Sequence, residues 1–301
     1  MSKNVNVGGQ AVIEGVMMRG KMGIATAVRT TEGEIVVEKK GFISYTKKNK
    51  FLGLPIIRGF ISLIESLVIG VQTLNYSASF FEEEGEASKL DKWIEKIFKD
   101  KSNDVIMGIS LVISLVVSVG LFFILPTLVA SVFSKMGAST MGLNIVEGII
   151  RVLIFLLYVY LIGKMEDIKR VYQYHGAEHK TIFCYENNVE LTPENASKFG
   201  RLHPRCGTNF LFLVMIVSIV VFSLTGWNSL GERIIYRIVL LPLISGVSYE
   251  IIKWMGKSEG TLAKILSYPG LKLQNLTTRE PDLSQIEVAI RALKEAEGIM
   301  D

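Results

Sequence analysis

VIMGISLVISLVVSVGLFFILPTLVASVFS, from Val105 to Ser134, runs for 30 residues without one charged side chain. A helix of that length more than crosses the ~30 Å hydrocarbon core of a bilayer and has room to tilt. No single helix in a water-soluble core needs so long an uncharged run. The stretch therefore sets the class: an α-helical polytopic membrane protein.

Three further apolar segments lie C-terminal to it. Leu143–Gly163 carries Glu147 and Arg151 four residues apart, placed to pair on one helix face. Thr208–Trp227 is the next. Ile234–Trp254 has Arg237 near its start and Glu250 near its end. A hydrophobic share of 49% and a mean hydropathy of +0.37 agree with a membrane class.

Charge gives the expected orientation. The loop after the first span holds one basic residue, Lys135, and the link 228–231 holds none. The segment between the second and third spans carries Lys164, Lys169, Arg170, Lys180, Lys198, Arg201 and Arg205. The positive-inside rule then puts both termini and this segment in the cytoplasm, as a multi-pass protein of the cell membrane. The N-terminus lacks the basic-then-apolar pattern of a signal peptide, in keeping with that expectation. Leu54–Phe81 is mostly apolar but includes Arg58, Glu65, Gln72 and Asn75, which suit a lipid-facing span poorly. A fifth full span would also break the in/in topology, so this segment is expected to be interfacial or re-entrant. After an acidic break at Glu82–Glu86, Leu90, Trp93, Ile94, Ile97 and Phe98 recur at helical spacing among lysines. That pattern fits a basic amphipathic helix on an anionic membrane surface or on the protein itself.

The two ends read as one small cytoplasmic α+β part. Gly8–Arg19 is an apolar run between turn-forming glycines. Ile24–Thr30 and Glu34–Lys39 are β-prone, with Thr31-Glu32-Gly33 as a hairpin loop. Ser267-Tyr268-Pro269-Gly270 reads as a turn. Pro281-Asp282 opens a last helix with Leu283, Ile286, Ile290 and Leu293 on one stripe, expected to pack on the N-terminal strands. The organisation expected is 1–50 as the β-rich unit, 51–103 as interfacial and amphipathic helices, 104–163 as a first transmembrane hairpin, 164–207 as a cytoplasmic His/Cys loop, 208–254 as a second hairpin and 255–301 as a cytoplasmic C-terminal segment. No basic tract with interleaved aromatics is present, so nucleic acid is not an expected partner. Two cysteines do not make a disulfide framework. Gly8-Gly9 is followed by neither a dinucleotide fingerprint nor a P-loop.

The chemistry concentrates in 164–207. Tyr174-His175-Gly176-Ala177-Glu178-His179-Lys180 holds two of the three histidines, and His203-Pro204-Arg205-Cys206 holds the third. On a helix, His175 and His179 lie one turn apart on one face, the spacing at which two imidazoles grip one metal ion. Glu178 is then a candidate general base, in the His-x-x-Glu-His order of inverted zincins. His203 or Cys206 completes a nitrogen/sulfur set suited to Zn2+ or another divalent transition metal. Glu250 is a rival third ligand, although Lys253 is placed to neutralise it, and Glu14 is a more distant one. Several alternatives stay open. Gly176 weakens a helix, which would leave the pair on a turn. Glu178 has Lys180 and Arg201 as potential ion partners. Histidines beside a membrane also serve as solvated or headgroup-binding groups. Cys184 reads as a buried small hydrophobe, and Thr192-Pro193-Glu194 as a capped helix start.

Gly8–Arg19, His175–Lys180, His203–Asn209 and Thr277–Pro281 together resemble the YqhQ-like bacterial membrane family, a domain of unknown function described as predicted metal-dependent enzymes. The resemblance covers nearly the whole chain and implies family membership more than mechanism. Three functional readings follow, in this order. The first is a membrane metalloprotein with a cytoplasmic-face site, a zinc-dependent hydrolase acting on a peptide or a lipid headgroup. The second is a non-catalytic scaffold with a structural zinc site. The third is a transporter or channel. Membrane lipids are the expected surroundings, with self-association into a homo-oligomer as an open possibility.

Overall fold

The computed structural model describes residues 7–81, 102–134, 137–226, 229–258 and 260–299. The expected amphipathic helix around Leu90–Phe98 lies outside the described residues. The chain is mostly helical, with one four-stranded antiparallel sheet near its N-terminus. Four helices are long and apolar enough to cross a membrane: Ile57–Ala78, Gly108–Ser134, Thr140–Ile162 and Gly231–Met255. The chain divides into two compact units, one of residues 1–81, 159–221 and 229–301, the other of residues 82–158 and 222–228.

The first unit is built on the sheet β1 (Gly8–Val12), β2 (Gly15–Gly20), β3 (Gly23–Arg29) and β4 (Ile35–Lys40), paired in that order. The β3–β4 hairpin turns where the sequence predicts, with Gly33 at φ +88°. Strands β2 and β3 are buried on both faces, and the two-residue period of a strand sorts them. Val16, Met18, Ala25 and Ala27 face one core. Met17 and Ile24 face Ile69 on the other side.

Eleven helical segments follow among the described residues: α1 (Tyr45–Lys48), α2 (Ile57–Ala78), α3 (Ser102–Val119), α4 (Leu125–Ser134), α5 (Thr140–Ile162), α6 (Glu166–Glu186), α7 (Pro193–Ser197), α8 (Gly207–Ser223), α9 (Leu230–Met255), α10 (Thr261–Thr277) and α11 (Leu283–Glu297). The main core joins the sheet to α6 and α11. Tyr174, Ala177, Ile182 and Cys184 meet Ile286, Ile290 and Leu293 beneath the strands. The last helix therefore packs on the N-terminal unit as its stripe predicts, with Leu283 left exposed. It starts with a capping box between Asp282 and Gln285.

Three expectations are corrected here. First, the stretch 164–207 is not a loop. It contains the 21-residue α6 and the short α7, the latter capped by Thr192 with Pro193 at its first position. Second, Ser267–Gly270 is not a turn but the middle of α10. A Cβ at Gly270 would stand 2.0 Å from Asn209 Oδ1, so that glycine is a close-packing residue. Burial of Ala263, Gly270, Leu273 and Gln274 overrides the local turn chemistry of Pro269. Third, α8 is 17 residues long and stops at Ser223, short of the span expected to Trp227.

Helix α2 runs unbroken from Ile57 to Ala78. Its polar residues have partners within the unit. Arg58 pairs with Glu250 of α9. Buried Glu65 accepts from Ser44 Oγ at 2.8 Å and Tyr45 N at 2.6 Å. Ser77 Oγ accepts from Ile13 N at 3.2 Å. Gly59 lets α2 cross α9 closely, since a Cβ there would meet Tyr249 Cβ at 2.6 Å and Gly246 Cα at 2.8 Å. On the opposite side Ile64, Leu67, Val68, Val71 and Leu74 form an exposed apolar stripe at helical spacing.

In the second unit, α3 continues through a π-turn at Gly120–Ile124 into α4. Arg151 of α5 donates Nε to the Phe122 carbonyl in that turn at 3.0 Å and pairs with Glu147 at 2.5 Å. This is the one-face pair expected from their spacing. Asn144 Nδ2 reaches the Thr225 carbonyl at 3.0 Å.

Candidate metal centre

Helix α6 carries His175, Glu178 and His179 toward the sheet end of the first unit. Gly176 does not break it. A Cβ at that position would lie 2.1 Å from the Arg279 carbonyl oxygen, because the Thr278–Pro281 segment passes directly over the helix there. The glycine that weakens the local helix in isolation is thus required by a tertiary crossing. The same crossing supplies a partner to the first histidine: His175 Nδ1 donates to the Thr277 carbonyl at 2.9 Å. One turn on, His179 Nδ1 donates to the Arg201 carbonyl at 2.6 Å. Both carbonyls fix the tautomer and turn Nε2 inward, the arrangement usual for histidine ligands.

Cys206 meets them there. His175 Nε2 lies 3.2 Å from Cys206 Sγ, and the two imidazole rings are 4.4 Å apart between centroids. Ligand atoms of His175, His179 and Cys206 all fall within 4.8 Å of one another. Zinc bond lengths of 2.0–2.1 Å to nitrogen and 2.3 Å to sulfur put tetrahedral N and S donors about 3.5 Å apart, so the three atoms would have to draw together to share such an ion. Cys206 directly precedes α8, and Thr208 N–H donates to its sulfur at 3.4 Å. His179 is only 1% exposed, and its Nε2 has no hydrogen-bond partner among the described residues. Burial pushes its imidazole below the ordinary range, against an upward pull from Cys206.

The other predicted residues fall elsewhere. His203 stays outside the three-donor set. Its Nδ1 accepts from Arg205 N at 3.3 Å, and its Nε2 faces Glu186 at 3.5 Å. Burial lowers its pKa to about 4, partly opposed by the charge of Glu178. Glu250 pairs with Arg58 on α2. Glu14 pairs with Arg170 and accepts from Tyr174 Oη at 3.2 Å. Glu178 has neither Lys180 nor Arg201 as a partner. Lys180 is held by the Ser197 and Phe199 carbonyls and Glu280, and Arg201 by Thr278. Glu178 instead lies against Gly9, where a Cβ would come within 2.9 Å of its Cγ and Cδ. Burial pushes the Glu178 carboxyl up, offset by His175 and His203, and its Oε2 has no hydrogen-bond partner. Glu178, His179, His203 and Cys206 line a cavity of about 270 Å³ with Arg19 and Arg205.

Several residues essential to this geometry escape the sequence reading. Gln274 is fully buried. It accepts from His203 N at 2.7 Å and donates to the His203 carbonyl at 2.8 Å, holding the His203–Cys206 turn in place. Its signal was available: a lone amide on the Ala263–Gly270–Leu273 stripe of α10. Thr277 and Arg201 act through backbone carbonyls, which no side-chain pattern encodes.

The family described as "Protein of unknown function (DUF1385)" matches residues 54–298. The chain is also similar to a Bacillus subtilis (strain 168) protein named "Uncharacterized protein YqhQ". The two are 37% identical over 293 residues, which cover 96% of this chain and 91% of that protein. No solved structure matches the chain. A match across most of its length, with a relative aligned nearly end to end, makes this chain a member of the DUF1385 family and of the YqhQ-like proteins.

Proposed function

We propose that the protein is a multi-pass membrane metalloenzyme, a hydrolase holding Zn2+ or a similar divalent transition metal on His175, His179 and Cys206 at the cytoplasmic face. One observation carries the reading. Three donors, His175, His179 and Cys206, come within reach of one another, and a cavity lined by Glu178 and His203 opens beside them. Three protein ligands with one open position mark catalytic zinc, whereas four mark a structural site. The positive-inside distribution of Lys and Arg supports the orientation, with both termini in the cytoplasm.

A divalent metal held there supplies Lewis acidity and brings the pKa of water toward ~7. Glu178 Oε2, free of other partners and facing the cavity, takes the proton from water and returns it to the leaving group. Gly9 leaves the room that this carboxyl occupies.

Metal analysis of the detergent-purified chain tests the assignment. Wild type should hold about one equivalent of a transition metal. His175→Ala, His179→Ala and Cys206→Ser should lose it, whereas Glu178→Gln and His203→Gln should keep it. Loss of metal in His203→Gln with the fold intact would indicate a closed, structural shell and overturn the catalytic reading.

A further inference from the structure

A second, wider groove of about 1020 Å³ adjoins the metal-site cavity. The two share Val7, Gly8, Arg19, Ser66 and Arg205 along their common edge. Six cations line the groove: Arg19, Lys21, Lys47, Arg58, Arg205 and Lys253. Three are neutralised locally, Lys21 by Glu297, Arg58 by Glu250 and Arg205 by Glu186. The other three have no ion pair among the described residues, although Lys253 lies within the field of Glu250. Arg19 only stacks over the Phe42 ring at 4.4 Å. Hydroxyls of Ser62 and Ser66 add neutral donors. Uncompensated charge in a concave site attracts an anion and strengthens as water leaves.

The surroundings narrow the class. The groove lies where Lys253 and Tyr249 end the long apolar helix α9, one residue from the half-exposed Trp254. Aromatic and lysine side chains at the end of an apolar helix mark headgroup level. The exposed Ile64–Leu74 stripe of α2 gives the same helix an apolar face on the side away from the groove wall of Arg58, Ser62 and Ser66. At the other end wait the unpartnered, buried His179 Nε2 and Glu178 Oε2.

We infer that this groove binds the phosphate of an anionic phospholipid headgroup and presents it to the His175/His179/Cys206 site. The inference rests on the hydrolase reading and names its substrate class. Its chemistry, a phosphate among Arg, Lys and hydroxyl donors, is shared with small soluble phosphate esters, so the test must separate the two sources.

Binding of water-soluble dioctanoyl phosphatidylglycerol to the purified full-length protein reads the proposal. Dioctanoyl phosphatidylcholine, sn-glycerol 3-phosphate and an acidic peptide serve as parallel probes, and metal content is measured on each sample. Wild type should bind the phosphatidylglycerol at least tenfold more tightly than the phosphatidylcholine. Lys47→Gln/Lys253→Gln should lose about tenfold while keeping full metal content, and binding should weaken in high salt. Glycerol phosphate binding as tightly as the lipid would keep the phosphate site but assign it to soluble esters, overturning the lipid assignment. Equal binding of both lipids regardless of the lysines, tighter binding of the peptide, or no phosphate binding would overturn the groove itself. Lost metal with retained lysine-dependent binding would defeat the hydrolase reading and leave the groove standing.

Discussion

Helices α5 and α6 follow one another in the chain and are built on opposite rules. Helix α5 exposes Met141, Ile145, Ile149, Leu153, Leu157 and Leu161, a stripe repeating every four residues. Helix α6 buries Glu178, His179, Lys180, Thr181 and Glu186. In water the first would be an aggregation hazard and the second an unstable core. The two are reconciled by different surroundings. The outside of α5 is apolar over a length that suits a membrane span, and a polar network satisfies much of the inside of α6. Lys180 alone donates to two carbonyls and pairs with Glu280 at 2.6 Å. The network leaves Glu178 Oε2, His179 Nε2 and Thr181 Oγ1 without a hydrogen-bond partner among the described residues, and the first two residues line the cavity. An apolar exterior points to the solvent, and an unsatisfied polar interior points to the ligand.

Four experiments probe this contrast, from the largest expected effect down. Chelation of the metal should remove about 4 kcal/mol of stability from the polar side, for a metal at a thousandfold excess over its Kd. The check is thermal unfolding with and without chelator, and His179→Ala should be insensitive to it. Leu153→Lys, at a position 58% exposed, would be harmless on a water-facing helix. On a lipid face it should cost about 3 kcal/mol, read by a membrane-insertion reporter. Gly176→Ala should destabilise by about 2 kcal/mol through overlap with the Arg279 carbonyl, whereas Gly108→Ala, with open space around it, should be neutral or stabilising. Equal effects at the two glycines in denaturant titrations would remove the argument for the crossing at α6.

The smallest effect concerns pH. Burial works to raise Glu297, but hydrogen bonds from Tyr185 and Lys21 hold its carboxyl below the ordinary range. A carboxyl lowered in the folded state adds stability above its unfolded pKa and loses it as pH falls through the folded value. Wild type should therefore exceed Glu297→Gln in melting temperature at pH 7. The gap should close below about pH 4.3, the ordinary glutamate range.

The sequence makes legible whatever rests on local pattern. The apolar helices show in the missing charges of Val105–Ser134, the β3–β4 hairpin in its Val, Ile, Thr and Gly33, and the His175–His179 pair in its helical spacing. What it hides depends on distant contacts. The position of the His203–Cys206 turn is held by Gln274, some seventy positions away. Gly176 and Gly270 read as helix breakers because their reasons, the Arg279 carbonyl and Asn209, are tertiary. Helix α2 was ambiguous for the same cause: Arg58 and Glu65 look misplaced until Glu250, Ser44 and Tyr45 are seen to hold them.

The π-turn at Gly120–Ile124 bears on how this chain is made. Its widened ladder offers the Phe122 carbonyl to Arg151, which also holds Glu147. The uncharged 105–134 segment can leave the translocation machinery for lipid by itself. The following segment brings a guanidinium and a carboxylate that lipid alone would reject. With the earlier helix already docked, both charges are shielded before they meet hydrocarbon. The two segments should therefore enter the bilayer as a pair. An insertion assay on 140–162, with and without 105–134 ahead of it, reads that order of assembly directly.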